Sequence, residues 1–291
     1  MDYCSYFIKD KGIFGSYPDE NRFKKLVTTL KVSHFIDLTT DHEKHSLYNY
    51  DKNNITYINY QIKDRFIPED IYKFIQFINK LKNIIENDIK DTCIYIHCKG
   101  GHGRCGIVVS CLLCYLYKYT STHSLELTNK YHNERLIMKD KWRKIGSPQT
   151  DRQKEFVNRL FKPIYLNNIH VKNTYYPLNN NSFYSILVDN MFYKNINTYY
   201  YSMKDKKLYK RLNNSKNFYE FKSIIENISG NNIKGKEEDI MRRAFTIKFE
   251  NNQLIQDLLK KTLLKPIKYV EDNIDIGILW EEIRHNYFFN I

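Results

Sequence analysis

Residues 94–117 constrain this chain more than any other segment. An apolar run, Ile94-Tyr95-Ile96, leads into His97-Cys98-Lys99-Gly100-Gly101-His102-Gly103-Arg104-Cys105-Gly106, and an apolar stretch of helical length, Ile107 to Tyr117, follows. The short run reads as a buried strand and the longer one as a helix, with a glycine-rich turn between them. In such a turn successive backbone N–H groups converge on an anion, because glycine tolerates positive φ and close approach, and the helix adds its positive end. The same field acts on Cys98. A free thiol near pKa ~8.5 is mostly protonated at neutral pH, whereas one at a helix N-terminus beside a cation falls to roughly 3.5–7.5 and attacks as thiolate. Cys98 and Arg104 are separated by five residues, three of them glycine, and a planar guanidinium holds two phosphate oxygens at once. The segment is therefore suited to holding a phosphate against a thiolate. A buried structural thiol, the plainer alternative, leaves Arg104 and the glycines unexplained.

The order His-Cys, five residues, Arg resembles the signature of the cysteine-dependent protein tyrosine phosphatase superfamily, and His-Cys-Lys-Gly-Gly-His-Gly-Arg is especially close to its dual-specificity-like branch. The resemblance covers about residues 14–161. It implies an α/β fold with a mostly parallel central sheet flanked by helices. It also implies Cys98 as nucleophile and Arg104 as phosphate ligand, with Lys99, Gly100, Gly101, His102 and Gly103 lining the phosphate cradle. The activity implied is hydrolysis of phosphotyrosine, extending to phosphoserine or phosphothreonine, through a cysteinyl-phosphate, with no metal or organic cofactor. The leaving oxygen needs a proton from another segment. The family's general acid falls at Asp64, in a loop between the strand-like Ile55 to Ile62 and a helix expected to open at Pro68. A solvated turn carboxylate is the alternative for Asp64, and Asp70 reads as decoration of that helix N-terminus.

A third segment, Gly146-Ser147-Pro148-Gln149-Thr150-Asp151-Arg152-Gln153, reads as a helix start with Ser147 as N-cap and Pro148 at the first position. Gln149 and Gln153 match the spacing of a family pair that lines the site and positions water; ordinary first-turn polar residues are the alternative. The sequence departs from the family after the arginine, where Cys105 replaces the usual Ser or Thr. A thiol is a weaker donor to the nucleophile. It keeps the reach to trap a peroxide-formed Cys98 sulfenic acid as a disulfide, which makes Cys105 a candidate redox partner.

The net charge of +13 favours anionic partners. Lys139, Lys141, Arg143 and Lys144 surround Trp142, either as a solvated basic loop or as selection for a phosphorylated protein or other anionic substrates, RNA 5′ ends and phosphoinositides included. Cys111 and Cys114 lie within the apolar helix and read as core residues rather than a zinc or redox pair. The N-terminus lacks signal-peptide character, and the longest apolar stretch, near 107–117, is too short to cross a bilayer. An intracellular, cytoplasmic setting that keeps thiols reduced is expected.

About 290 residues suit two modest domains. Strand-like segments near His34–Leu38, Ile55–Ile62 and Cys93–His97 alternate with helical patterns, one carrying Ile71, Phe74, Ile75, Ile78, Leu81 and Ile85 on a single face. The expected division is a phosphatase domain over 1–161, a linker over 162–181 marked by Pro163, Pro177 and no clear period, and a smaller helix-rich α+β domain over 182–291. In the last part, Ala244 with Lys248-Phe249, then Leu254, Leu258-Leu259 and Thr262, resembles the NADAR family of N-glycosidases. The acidic residue that this resemblance calls for falls at Asn197, so a degenerate, noncatalytic module is expected. A phosphate-binding pseudophosphatase scaffold and an RNA 5′-triphosphatase on the same fold are the rival readings of the whole.

Overall fold

The computed structural model describes residues 2–43, 55–86, 92–166, 174–182, 184–228, 233–271 and 274–289, and the chain divides into two compact units, Met1–Lys162 and Pro163–Ile291. The first runs β1 (Cys4–Ile8), β2 (Gly12–Ser16), α1 (Glu20–Thr28), β3 (His34–Asp37), a 3-10 turn (Asp41–Glu43), β4 (Thr56–Asn59), α2 (Ile71–Glu86), β5 (Ile94–Cys98), α3 (Gly103–Tyr117), α4 (Ser121–Asn133), α5 (Asp140–Ile145) and α6 (Asp151–Leu160).

Its sheet has the order β1-β2-β5-β3-β4. The β2–β5, β5–β3 and β3–β4 pairs are parallel and β1 alone is antiparallel. Central β5 is buried along its whole length, as a strand covered on both faces must be. Helix α2 buries Phe74, Ile75, Ile78, Leu81 and Ile85, while Ile71 at its first position is half-buried. Helix α3 is buried from Gly103 to Tyr115 and packs against α2, α4 and α6. The loop at Cys98 therefore stands at the carboxyl end of a central strand, where open α/β sheets bind ligands.

The second unit runs β6 (Ile164–Tyr165), a 3-10 turn (Tyr176–Leu178), β7 (Ile186–Val188), β8 (Met191–Tyr193), α7 (Ile196–Lys204), a 3-10 turn (Lys206–Leu208), α8 (Tyr209–Asn214), α9 (Phe218–Glu226), α10 (Glu237–Glu250), α11 (Gln253–Lys261), β9 (Ile267–Lys268), β10 (Val270–Glu271), β11 (Ile274–Asp275) and α12 (Ile276–Phe288). It is helix-rich α+β. Its core centres on Trp280, whose ring meets Phe245 edge-on at 4.7 Å and whose Nε1 donates to Leu178 O at 2.7 Å.

That contact corrects the linker expectation for 162–181. Ile164, Leu166 and Leu178 are buried members of the second core, β6 pairs with β9, and Asn179 Nδ2 donates to Leu166 O at 3.0 Å. The segment shows no period because asparagine side chains and a 3-10 turn satisfy its backbone in place of a helix or long strand. Residues 167–173 within it lie outside the described residues.

Two helix starts also differ from expectation. Helix α2 begins at Ile71, not Pro68, because Asp70 Oδ1 accepts from Tyr72 N and Lys73 N, both at 3.0 Å. Helix α6 begins at Asp151 with Thr150 as N-cap, in a reciprocal capping box with Gln153. Ser147, the expected cap, turns its hydroxyl to His102 O at 2.6 Å instead. If residues around 178 are core, Leu178→Ala should destabilise the second unit by about 2–5 kcal/mol, visible as a lower urea midpoint; a free linker would leave the midpoint unchanged.

Candidate active site

Cys98 ends β5 with 3% of its surface exposed. Its thiol is drawn down to about 6, first by the Cys105 thiol bonding its sulfur, then, against the opposing effect of burial, by the Arg104 charge and the amides of Cys105 and Gly101. Cys105 answers in the opposite sense. Burial, and then its bond to the Cys98 sulfur, push its own thiol well up, so of the two sulfurs Cys98 ionises and Cys105 donates. The Cys105 Sγ also lies 3.7 Å from Gly15 O and from Ile96 O, each within reach as an acceptor.

Glycine is required in the loop where the chain touches its own sheet. Gly101 has φ of 74°, and a Cβ there would lie 2.3 Å from the carbonyl carbon of Gly15 on β2. A side chain at Gly103 would meet Gln153 Oε1 at 2.8 Å, and one at Gly106 would meet Ser147 Oγ at 2.4 Å. Lys99 is exposed and its carbonyl accepts from Tyr17 N at 3.2 Å.

Arg104 is 1% exposed. Its Nη1 donates to Glu43 Oε2 at 2.6 Å and to Ile62 O at 3.0 Å, and its Nη2 donates to Glu43 Oε1 at 2.9 Å. Asp64 Oδ1 lies 3.0 Å from the same Nη2. Burial disfavours the cation, but the Glu43 fork, the Cys98 sulfur and Asp64 outweigh it and hold Arg104 charged. Glu43 gains in turn, since the bonds from Arg104 and Thr40 overcome its burial and lower its carboxyl. Arg104 Nε is buried with no hydrogen-bond partner among the described residues. An orphaned guanidinium N–H is costly unless something binds there.

The remaining expected residues divide. Asp64 comes to Arg104 while keeping 56% of its side chain exposed. Gln153 is fully buried. Its Oε1 accepts from Gln149 N and Thr150 N at 3.1 Å, and its Nε2 donates to Phe66 O at 3.1 Å, so it ties the Asp64 loop to the start of α6. Gln149 is half-buried, with its Cβ beside Gly103. His102 stacks on Trp142 at 4.7 Å, and its Nδ1 shares a 2.7 Å hydrogen bond with His132 Nε2; burial and the nearby Arg135 charge bring it down to about 4, so it is neutral at physiological pH. Arg143, expected on a basic rim, donates to the carbonyls of Asn133 and Arg135 at 2.6 and 2.5 Å.

Two residues escaped the sequence reading. Glu43 lies in a short 3-10 turn with no motif around it. Arg135 is a buried second guanidinium whose Nη1 donates to Gly101 O at 3.0 Å and whose Nη2 donates to Phe14 O at 3.3 Å. Arg135 thus occupies the Gly101 carbonyl with a buried donor.

Residues 2–157 match the family model described as PTP-SAK, Swiss Army Knife protein, DSP-PTPase phosphatase domain. The chain is 34% identical over 174 residues to "Putative tyrosine phosphatase 197R" of Invertebrate iridescent virus 6, covering 57% of this chain and 59% of that protein. It is 35% identical over 162 residues to the counterpart 067L of Invertebrate iridescent virus 3, covering 55% and 66%. It therefore spans less than two thirds of either relative. Among solved structures, Tk-PTP in its active form superposes with a TM-score of 0.43 at 18% identity, over 53% of this chain and 92% of that one. The E. coli protein YbiA superposes with a TM-score of 0.37 at 19% identity, over 43% and 86%.

Alkylation of Cys98 by iodoacetamide should follow a titration near pH 6, fast above it and lost below as the sulfur protonates. Cys105→Ala removes the thiol that bonds the Cys98 sulfur, so it should move that midpoint upward, as read by intact mass across pH.

Proposed function

Because the chain belongs, through residues 2–157, to the PTP-SAK family of DSP-PTPase phosphatase domains, we propose that it hydrolyses phosphotyrosine on proteins, with phosphoserine and phosphothreonine also admitted, by two in-line displacements at Cys98. The observation that carries this reading is the buried Arg104 with an unmatched Nε–H, set in the same short loop as a sulfur that ionises near pH 6. A phosphate supplies the missing acceptor for Nε and competes with Asp64 for Nη2, which frees Asp64 as the anion binds.

In the first step the Cys98 sulfur forms the S–P bond as the P–O bond breaks, and Asp64 gives its proton to the departing oxygen. In the second, water attacks phosphorus and yields its proton to Asp64, while Cys98 leaves as thiolate with the Cys105 S–H toward it. Arg104 and the amides of residues 99–104 hold the equatorial oxygens throughout. Among the described residues the Glu43 carboxylate bonds Arg104 and Thr40, which makes it a positioning residue. Gln153 keeps Asp64 in reach through Phe66 O. For residues 182–291 the reading is a noncatalytic module, since Asn197 supplies a buried amide, bonded to Asn180 and Asn181, where a carboxylate would be needed.

Cys98→Ser should abolish turnover of p-nitrophenyl phosphate and of phosphotyrosyl peptides, because a serine hydroxyl is not ionised in that loop; residual hydrolysis by this variant would refute the mechanism. Asp64→Ala should cost roughly 10²–10⁴-fold on an alkyl phosphate and less on an aryl one, whose phenolate leaves unaided; kcat on the two substrates measures this.

The Cys105 sulfur is also proposed as a trap. Peroxide oxidises the Cys98 thiolate to sulfenic acid with release of hydroxide, and the Cys105 thiol then forms the S–S bond as water leaves. Peptide mapping after mild peroxide should find the 98–105 disulfide, reversible by dithiothreitol. A Cys98 sulfonic acid beside a free Cys105 would rule the trap out.

A further inference from the structure

The loop that carries Asp64 is strongly cationic, and none of the steps above uses that charge. Lys63 and Arg65 flank Asp64 in sequence. The chain turns tightly there, with Phe66 N donating to Lys63 O at 3.0 Å and Arg65 at φ of 63°. Phe66 is 40% exposed, and two cations lie against its ring: Lys63 Nζ is 4.9 Å from the centroid and the Arg152 guanidinium 5.1 Å. Arg152 stands on the first turn of α6 beside Gln153, whose side chain bonds Phe66 O, so two elements hold these charges at one place.

Among the described residues none of Lys63, Arg65 and Arg152 is ion-paired. Three nearby carboxylates are engaged elsewhere, Asp64 with Arg104 at 3.0 Å, Asp151 with Lys154 at 3.6 Å and Asp70 with Lys73 at 3.9 Å, and Glu69 and Glu155 make no ion pair with these cations among the described residues. Unpaired cations gathered within about a Debye length, ~10 Å, repel one another and draw anions to the mouth of the site. The aromatic face gives two of them a fixed seat.

We infer that Lys63 and Arg152 on the Phe66 ring, together with Arg65 in the same turn, form a subsite for a second phosphate carried by the leaving group. The inference rests on the phosphatase reading, in which Asp64 faces the leaving oxygen; residues on either side of it then border the departing group. A phosphate there carries about −1.5 to −2 charges at neutral pH and offers oxygens to a bidentate guanidinium. The substrate class is accordingly a phosphate ester or anhydride with another phosphate next to the scissile one. Its two sources are an adjacent phosphorylated residue on a polypeptide and the next link of a polyphosphate chain.

The test uses the full chain with p-nitrophenyl phosphate as reporter and orthophosphate or tripolyphosphate as competitive inhibitor. Tripolyphosphate should bind about tenfold more tightly than orthophosphate, a few-fold per exposed ion pair, and the preference should shrink with added salt. In Lys63→Ala/Arg65→Ala/Arg152→Ala the preference should fall to about twofold, with kcat for the reporter unchanged. Arg152→Glu, at an exposed helical position, should act in the same direction if the triple variant does not fold. Equal inhibition by both anions in the unaltered protein, or a preference that survives both substitutions, overturns the subsite. Reporter turnover that survives Cys98→Ser overturns the phosphatase reading instead, so the two failures are distinguishable.

The source is read from kcat/KM on a phosphotyrosyl peptide with and without a neighbouring phosphothreonine, and on ATP as a phosphoanhydride. A gain on either that the variants lose supports the subsite and identifies its natural ligand. A gain on neither refutes its part in turnover.

Discussion

The charge on Arg104 is the constraint around which the first unit is arranged. A guanidinium removed from water is expensive unless its hydrogens are matched and its charge answered. Here Glu43 forks onto it, Ile62 lends a carbonyl, and Asp64 reaches it from a half-exposed turn. These partners come from segments far apart in sequence, so folding of the sheet ends and setting of the cation are one event. What is left over among the described residues is the buried Nε–H.

Around that cation the scaffold works through backbone more than side chains. Arg135 holds the Gly101 carbonyl, Ser147 holds the His102 carbonyl, and Gln153 spans from the α6 capping box to the Phe66 carbonyl. The first two bonds fix peptides of the Cys98–Arg104 loop, and the third fixes the loop of Asp64. Preorganisation of this kind leaves little to be rearranged when an anion enters.

Much of this was legible in the chain itself. The Cys98-to-Arg104 loop, its flanking strand and helix, the amphipathic stripe of α2 and the setting of Asp64 are all encoded locally, by glycine, by periodicity and by short spacing. Glu43 and Arg135 were not. Their partners are distant in sequence, at 61 and 34 residues, and a lone Glu in a polar turn or a lone Arg after a helix carries no pattern. Ser147 as a helix cap failed for a related reason: its hydroxyl had a tertiary acceptor at His102, while Thr150 and Gln153 formed the cap three residues on. The stretch from 162 misled because its asparagines do structural work that resembles loop composition.

The near-contact of Gly101 with Gly15 ties the cradle to the amino-terminal hairpin. Strand β2 forms the floor on which the turn rests, and β1 is β2's antiparallel neighbour. Shortening the protein to begin at residue 14, where the family resemblance starts, would strip away β1 and the first two residues of β2. The smallest piece that keeps the Gly101 turn on its support is thus longer at its front end than the motif alone suggests.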